Sequence, residues 1–198
     1  MIVMLDNGHG SNTSGKCSPD GTHREYKWAR DFVDRLHKSL VAAGIDVHIL
    51  VPEDTDIPLM TRCARANGIA LKKGKKNCLL ISIHNDAAGS DKKWHTARGF
   101  SARTALKPSA ASMAFAKLMQ SKMKQAGFGG NRSVPNEGFY RQNLAICRET
   151  TMPAVLCENL FMDNKQDLAI LNSELALERM CEVYVEAIKE YIAKKLYL

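Results

Sequence analysis

The chain has 198 residues, 45% of them hydrophobic, a length and composition that suit one domain with a single buried core. No apolar run is long enough to cross a bilayer, and six irregularly spaced cysteines without a CxxC pair argue against a disulfide framework. The formal net charge of +7 suits solubility or attraction to a polyanion, but no nucleic-acid-binding motif accompanies it, so we predict no nucleic-acid partner and no stable membrane insertion.

The first part of the chain predicts strands that alternate with helices. Apolar runs predict the strands, and apolar residues at steps of four predict the helices. In chain order these elements are a strand at 2–5, a helix at 25–43, a strand at 47–51, a helix that begins after Pro58 and a strand at 78–83. The first strand starts so early that it leaves no room for a signal peptide. We therefore expect synthesis in the cytoplasm or a trimmed secreted form.

The second part of the chain continues the alternation. Mixed polarity predicts that a short strand at 99–104 lies at an edge of the sheet. It is followed by a helix at 108–126, two short strands at 144–147 and 153–157, and a last helix at 175–196. Strands that alternate with helices predict an α/β fold with a mainly parallel, twisted sheet flanked by helices. We expect residues 1–198 to form one domain without a separate binding domain.

Three of the predicted strands end in a histidine or a carboxylate. His9 follows the first strand, His84 follows the strand at 78–83, and Glu158 follows the strand at 153–157. Ligands of open α/β sheets bind beyond the carboxyl ends of the strands, so these side chains should converge on one edge. Two imidazoles with nearby carboxylates describe a catalytic zinc site, which keeps three protein ligands.

The third zinc ligand has two candidates. Glu25 is the better one, because a helix that enters from the loop after the first strand starts beside His9. His23 is the alternative, two residues earlier on the loop. Each histidine could instead be a hydrogen-bonded structural residue. Glu158 is harder to explain structurally, because burying an unpaired carboxylate costs several kcal/mol. Asn85 and Asp86 are expected to cap a turn or to orient His84.

The ordered motifs resemble one known family. The chain resembles the zinc-dependent N-acetylmuramoyl-L-alanine amidases of the Amidase_3 type, which include many phage and prophage endolysins. The resemblance covers nearly the whole chain, and the segments that carry it are 5–10 (LDNGHG), Glu25, 59–67 (LMTRCARAN), 81–87 (ISIHNDA), 98–100 (RGF) and 152–158 (MPAVLCE).

This resemblance implies roles for the candidate residues. It implies that His9, Glu25 and His84 bind one zinc ion and that Glu158 is the catalytic carboxylate. The implied substrate is peptidoglycan, at the amide between N-acetylmuramic acid and L-alanine. The family ending Glu-x-Gly-Phe-x-x-Asn is kept here except that Leu160 replaces the glycine. This departure bears on the shape of the local loop and not on the glutamate.

The sequence is also compatible with two other functions. One is a zinc peptidase that cuts within the stem peptides, and the other is a non-catalytic module that binds the wall. The enzyme would act on the cell wall, either after lysin-like release from the cytoplasm or as the trimmed secreted form. Lysines at 72–76 and 92–93 are expected to flank the strand that ends at His84 and to attract an anionic wall.

Overall fold

The computed structural model describes residues 1–197 as one α/β domain built on a six-stranded sheet. None of the helices in this range is both long and apolar enough to cross a bilayer. The elements in chain order are β1 (Ile2–Asn7), α1 (Glu25–Ala42), β2 (Asp46–Ile49), α2 (Leu59–Lys73), β3 (Cys78–Asp86), β4 (Ser101–Thr104), α3 (Ala110–Met123), β5 (Tyr140–Arg141), α4 (Ala145–Arg148), β6 (Ala154–Phe161), α5 (Lys165–Leu171) and α6 (Glu174–Ala193).

The sheet is mainly parallel, as the sequence predicts. Its strand order is β2-β1-β3-β6-β4-β5, and only the pairing between β4 and β6 is antiparallel. Successive side chains of a strand point to opposite faces, so one strand supplies two core layers. In β1, Val3 and Leu5 pack in the layer that contains α1, α3 and α6, whereas Met4 packs in the layer that contains α2 and α4.

The strand pairing continues beyond the apolar runs. In β3 and β6 it extends to Asp86 and Phe161, so His84 and Glu158 lie within strands and not after them. Backbone hydrogen bonds do not depend on side-chain polarity, and therefore the end of an apolar run underestimates the length of a strand. The two residues are direct register partners on neighbouring strands. Parallel pairing thus brings them to one edge of the sheet.

Two of the predicted strands need correction. Residues 144–147 were expected to form a strand, but the carbonyl of Leu144 accepts the N–H groups of Cys147 and Arg148 and opens the short helix α4. A short apolar run does not distinguish these alternatives. The strand near 99–104 is present as β4, but it is not the edge, because β5 pairs along its outer side. With only two residues, β5 is too short to give a sequence signal.

The structure also contains a helix that the sequence analysis missed. Helix α5 has seven residues, and its N-cap is Asn164, whose Oδ1 accepts the N–H groups of Gln166 and Asp167. Such a cap satisfies two backbone donors that the first helical turn leaves free. Helix α5 follows β6 and packs at the carboxyl end of the strand that carries Glu158.

The two lysine clusters lie at opposite ends of the sheet. Lys72 and Lys73 end α2, and Lys75 and Lys76 lie in the short turn 75–77 that precedes the first residue of β3. The two clusters therefore flank β3, as expected, and the cluster at 72–76 is at the amino end of the strand, away from His84. Only the pair at 92–93 follows the carboxyl end of β3.

One arginine holds the loop that follows β1. The Arg62 side chain, 3% exposed, donates to Asp6 Oδ1 and to the Asn7 carbonyl at 2.7 Å, and to the His9 carbonyl at 3.1 Å. It also donates to Asp56 at 2.8 Å and to the Ile57 carbonyl at 2.7 Å. A buried guanidinium is stable only when its donors are paired in this way. Arg62 therefore ties helix α2 to the loop that presents His9.

Replacing Arg62 with alanine should lower the free energy of unfolding by about 3–5 kcal/mol, because the Asp6 carboxylate stays buried without its counter-charge. Urea unfolding followed by circular dichroism measures this change. The matched control is Arg65→Ala on the same helix, whose partner Glu53 is 37% exposed. It should cost about 1 kcal/mol or less. Equal losses for the two variants would contradict a special role for the buried pair.

Candidate metal centre and active site

His9, Glu25 and His84 converge at the carboxyl edge of the sheet. One ligand atom from each lies within 4.8 Å of the others. His84 Nδ1 is 2.9 Å from Glu25 Oε1, and His9 Nε2 is 3.3 Å from Glu25 Oε2. The two imidazole rings meet edge to face, with centroids 5.0 Å apart. The structure therefore brings together the three residues that the sequence singled out.

The donor set has the chemistry of a zinc site. Two imidazole nitrogens face one carboxylate, and zinc favours such nitrogen and oxygen ligands. Glu25 is 1% exposed, and its Oε2 atom accepts no hydrogen bond from residues 1–197. An unpartnered, buried carboxylate oxygen is costly, and a cation between it and the histidines would remove that cost. The residues present therefore fit zinc.

Helix α1 places Glu25 because this residue is the first of the helix. Its Oε1 atom also accepts the backbone N–H of Asn85 at 3.1 Å, which fixes the carboxylate against β3. Burial alone would raise the pKa of Glu25, but the hydrogen bond with His84 and the contact with His9 outweigh burial and hold the pKa below its ordinary value. The carboxylate is therefore ionised, as a metal ligand must be.

The loop that carries His9 depends on its flanking glycines. A Cβ atom on Gly8 would lie 2.3 Å from Cε1 of His84, and one on Gly10 would lie 1.9 Å from the backbone nitrogen of Asp56. Side chains at these two positions would displace the cluster. His9 itself has a φ of +59°, and its carbonyl accepts hydrogen bonds from both Arg30 and Arg62 at 3.1 Å. These arginines hold a backbone conformation that non-glycine residues rarely adopt.

His23 lies outside this cluster. Its Nε2 is 2.8 Å from Asn85 Oδ1, and its Nδ1 is 3.3 Å from Asn172 Oδ1. The ring is 4% exposed and links the end of β3 to the turn after α5. Both ring nitrogens of His23 therefore contact asparagine side chains, as in a hydrogen-bonded structural histidine.

The two residues after His84 have other contacts. Asn85 contacts Glu25 and His23 rather than the imidazole of His84, and Asp86 pairs with Arg103 and Arg132.

Glu158 lies next to His84 of the His9–Glu25–His84 cluster, on the neighbouring strand, and one of its oxygens lacks a hydrogen bond from the described part of the chain. Its side chain is 13% exposed, and its Oε2 atom is buried without a hydrogen-bond partner in residues 1–197. Burial raises the pKa of Glu158 to about 7, with a further contribution from the negative charge of Asp86. The nearest cation is Arg103, whose Nη1 is 3.8 Å from Glu158 Oε1. Arg103 is not predictable from the sequence, because a lone arginine on a short strand gives no signal of its partner.

One open cavity of about 660 Å³ joins these residues. His9, His84 and Glu158 line it, and residues of α2 and α4 form its other walls. A polar chain that enters this groove would reach the proposed metal ligands and Glu158 together. The unpredicted helix α4 thus forms part of the wall of this cleft.

Comparison with known proteins identifies the family. The profile of the Amidase_3 family, described as N-acetylmuramoyl-L-alanine amidase, matches residues 3–190. The chain belongs to this family. The resemblance to this family that the sequence motifs indicate is therefore confirmed.

Relatives and solved structures agree with this membership. The chain is 28% identical over 196 residues to an endolysin of Bacillus phage SPP1, and 24% identical over 229 residues to the N-acetylmuramoyl-L-alanine amidase AmiC of Neisseria meningitidis. It covers 67% and 52% of these proteins, so it spans about two thirds of the first and about half of the second. The catalytic domain of CwlV, an amidase of Bacillus (Paenibacillus) polymyxa var. colistinus, matches with a TM-score of 0.80 and 26% identity. That match covers 97% of this chain and 98% of the other.

Strand β6 contains a left-handed residue at Leu160, the position where the sequence departs from the family ending that the resemblance implies. The register between β3 and β6 shifts after His84, so the partner of Asp86 is Phe161. Within this bulge Leu160 has a φ of +64° and is 1% exposed. Bulges re-aim neighbouring side chains and are frequent beside active sites. Leu160 therefore adopts the conformation that glycine adopts most readily, and core packing holds it there.

Leu160→Gly should be more stable than Leu160→Ala by about 1 kcal/mol, because only glycine removes the steric cost of roughly 1–2 kcal/mol for a left-handed residue with a Cβ atom. Both variants should be less stable than the parent, because each removes a buried side chain worth about 2–5 kcal/mol. Thermal and urea unfolding measure the order.

The control pair is made at Leu171, which is also 1% exposed but ends helix α5 without a positive φ. There the glycine variant should be the less stable one, by up to about 1 kcal/mol. If the alanine variant were the more stable one at Leu160 as well, the left-handed backbone at Leu160 would carry no strain.

Proposed function

We propose that this chain is a zinc-dependent N-acetylmuramoyl-L-alanine amidase. It would hydrolyse the amide between N-acetylmuramic acid and L-alanine in peptidoglycan. The observation that carries the proposal is the constellation at one edge of the sheet: two imidazoles and a buried carboxylate, one oxygen of which accepts no hydrogen bond from residues 1–197, with the partly buried Glu158 on the neighbouring strand. Membership of the amidase family supports the choice of bond.

In the proposed reaction His9, Glu25 and His84 hold one zinc ion. When bound, zinc supplies Lewis acidity, which acidifies water and polarises an amide carbonyl. Glu158 acts as general base and then as general acid: it takes a proton from the attacking water and returns it to the leaving alanine nitrogen. Its Oε2 atom is free for this task, because no residue in the described range donates to it.

The surrounding residues keep the constellation in place. Arg30 and Arg62 fix the backbone of His9, and the N–H of Asn85 fixes Glu25. We propose that residues 1–198 act as a single catalytic domain on the cell wall. Similarity to a phage endolysin favours lysin-like release, with a trimmed secreted form as the alternative.

The purified protein should contain about one zinc per chain, because three protein ligands converge on one point. Elemental analysis measures the metal, and a chelator should abolish wall hydrolysis until zinc is restored. His84→Ala should lose both zinc and activity. His48→Ala is the matched control, since His48 lies on the exposed side of β2. Full zinc content and full activity in the His84 variant would rule out the proposed ligand set.

Glu158→Gln should keep zinc and the fold but lose turnover by roughly 10²–10⁴-fold, because an amide cannot accept the proton of water. Digestion of purified peptidoglycan, followed by mass spectrometry of the new ends, measures both the rate and the bond that is cut. Glu178→Gln on the exposed face of α6 is the control and should keep the parent rate.

The products decide between the amidase and a peptidase. Free N-terminal alanine on released stem peptides supports the amidase, and new ends within the stem peptides would establish the peptidase. Near-parental cleavage by the Glu158 variant would assign the base to another residue. Binding without any cleavage by the parent would indicate a wall-binding module.

A further inference from the structure

Strand β4 places an arginine on the same face of the sheet as Glu158. Ser101 is the direct antiparallel partner of Glu158, and Arg103 lies two residues further along β4. Residues two apart on a strand share a face, so Arg103 is a diagonal neighbour of the carboxylate. The serine between them is small and fully buried. The long side chain of Arg103 therefore has room to cross it and approach Glu158.

Three protein groups hold the guanidinium of Arg103 in one orientation. Its Nε donates to Ser101 Oγ at 3.1 Å, its Nη1 donates to Gln142 Oε1 at 2.9 Å, and its Nη2 donates to Asp86 Oδ2. The side chain is 13% exposed. A planar guanidinium bound at three nitrogens has little freedom to rotate. Arg103 is thus a fixed charge and not a mobile surface cation.

Asp86 is itself held from a second side. Arg132 donates to the same Oδ2 atom at 3.1 Å, and its guanidinium lies 4.9 Å from the ring centroid of Tyr140 and 5.3 Å from that of Phe161. Two cations share one carboxylate, and two aromatic rings support the outer cation. Asp86 therefore anchors Arg103 without neutralising the whole cluster.

The fixed guanidinium meets only one oxygen of Glu158. Arg103 Nη1 is 3.8 Å from Oε1, and Arg103 is the one cationic side chain within 4.0 Å of this carboxylate in residues 1–197. The other oxygen, Oε2, is buried and accepts no hydrogen bond from that part of the chain. The two oxygens of the carboxylate are therefore not equivalent, because Arg103 lies close to Oε1 and not to Oε2.

We propose that Arg103 is a positioning residue for the hydrolytic reaction. It holds Oε1 of Glu158 by charge, which leaves Oε2 as the oxygen that exchanges a proton with the attacking water. This role rests on the proposed function, because it acts only through Glu158. Arg103 needs no contact with the substrate, so its removal slows turnover without weakening substrate binding.

A double-mutant cycle tests this role. Arg103→Met is made in the parent and in the Glu158→Gln variant, and kcat and KM are measured on a soluble muramyl-peptide with zinc content checked in every sample. In the parent the change should lower kcat by about 10–100-fold and move KM by less than about threefold, the usual range for residues that orient a catalytic group. In the Glu158→Gln variant it should lower kcat by less than about twofold, because the group it positions is already disabled.

Two further variants keep the test decisive. Arg103→Lys retains the charge but cannot make all the same contacts, so it should fold and recover part of the lost kcat. It is taken through the same cycle if the methionine variant does not fold. Arg141→Met, on the exposed face of neighbouring β5, is the matched control and should keep the parental kcat.

An equal loss of kcat in both backgrounds would overturn the proposal, and so would a rise in KM at constant kcat or no effect at all. The proposed function fails in a different way, through full activity of Glu158→Gln on its own. The two failures are therefore distinguishable.

Discussion

The buried guanidinium of Arg62 is the interaction on which the geometry of the site depends. It pairs with Asp6 inside β1 and also binds the carbonyl of His9, so it links the sheet to the loop that carries the first proposed metal ligand. The hydroxyl of Ser82 on β3 donates to the second oxygen of Asp6 at 2.5 Å and extends this network to the neighbouring strand. A network of this kind is stable only when all its members are satisfied. Any slip between β1, β3 and α2 would leave a charge unpaired inside the protein. The network therefore specifies one register, and that register brings His9 next to His84.

The site combines well-paired and poorly paired charges within one small region. Arg62 and Asp6 are fully paired, whereas Glu25 and Glu158 each keep one buried oxygen without a hydrogen bond from residues 1–197. Buried polar groups in proteins normally find partners, and exceptions cluster where chemistry occurs. The two unpartnered oxygens have different explanations. The one on Glu25 faces the histidines and suits a cation, and the one on Glu158 suits proton transfer. The stability lost at these two atoms is offset by the core layers on both faces of the sheet.

The sequence predicted the elements and residues whose signals are local. Apolar runs located the central strands, the spacing of apolar residues located the long helices, and polar residues after the runs located His9, His84 and Glu158. The choice of Glu25 over His23 also followed from its place at the start of a helix. Helix α4 and strand β5 were missed or misread because two to four residues carry too little periodicity. Arg103 was missed because its role comes from a diagonal contact across an antiparallel pair, and a single sequence does not reveal which strands become neighbours.

The leucine in the bulge of β6 changes what holds this strand in shape. A glycine would adopt the left-handed conformation without help, so the turn would be a property of the backbone. Leu160 adopts it only while its side chain stays packed in the core layer that contains Phe32 and Tyr184. The geometry at Glu158, two residues earlier, thus depends on packing on the far side of the sheet. Substitutions deep in that core, remote from the cleft, would therefore change the position of the Glu158 carboxylate. Heat that loosens side-chain packing would distort the edge of the sheet around Glu158 before the strands themselves separate.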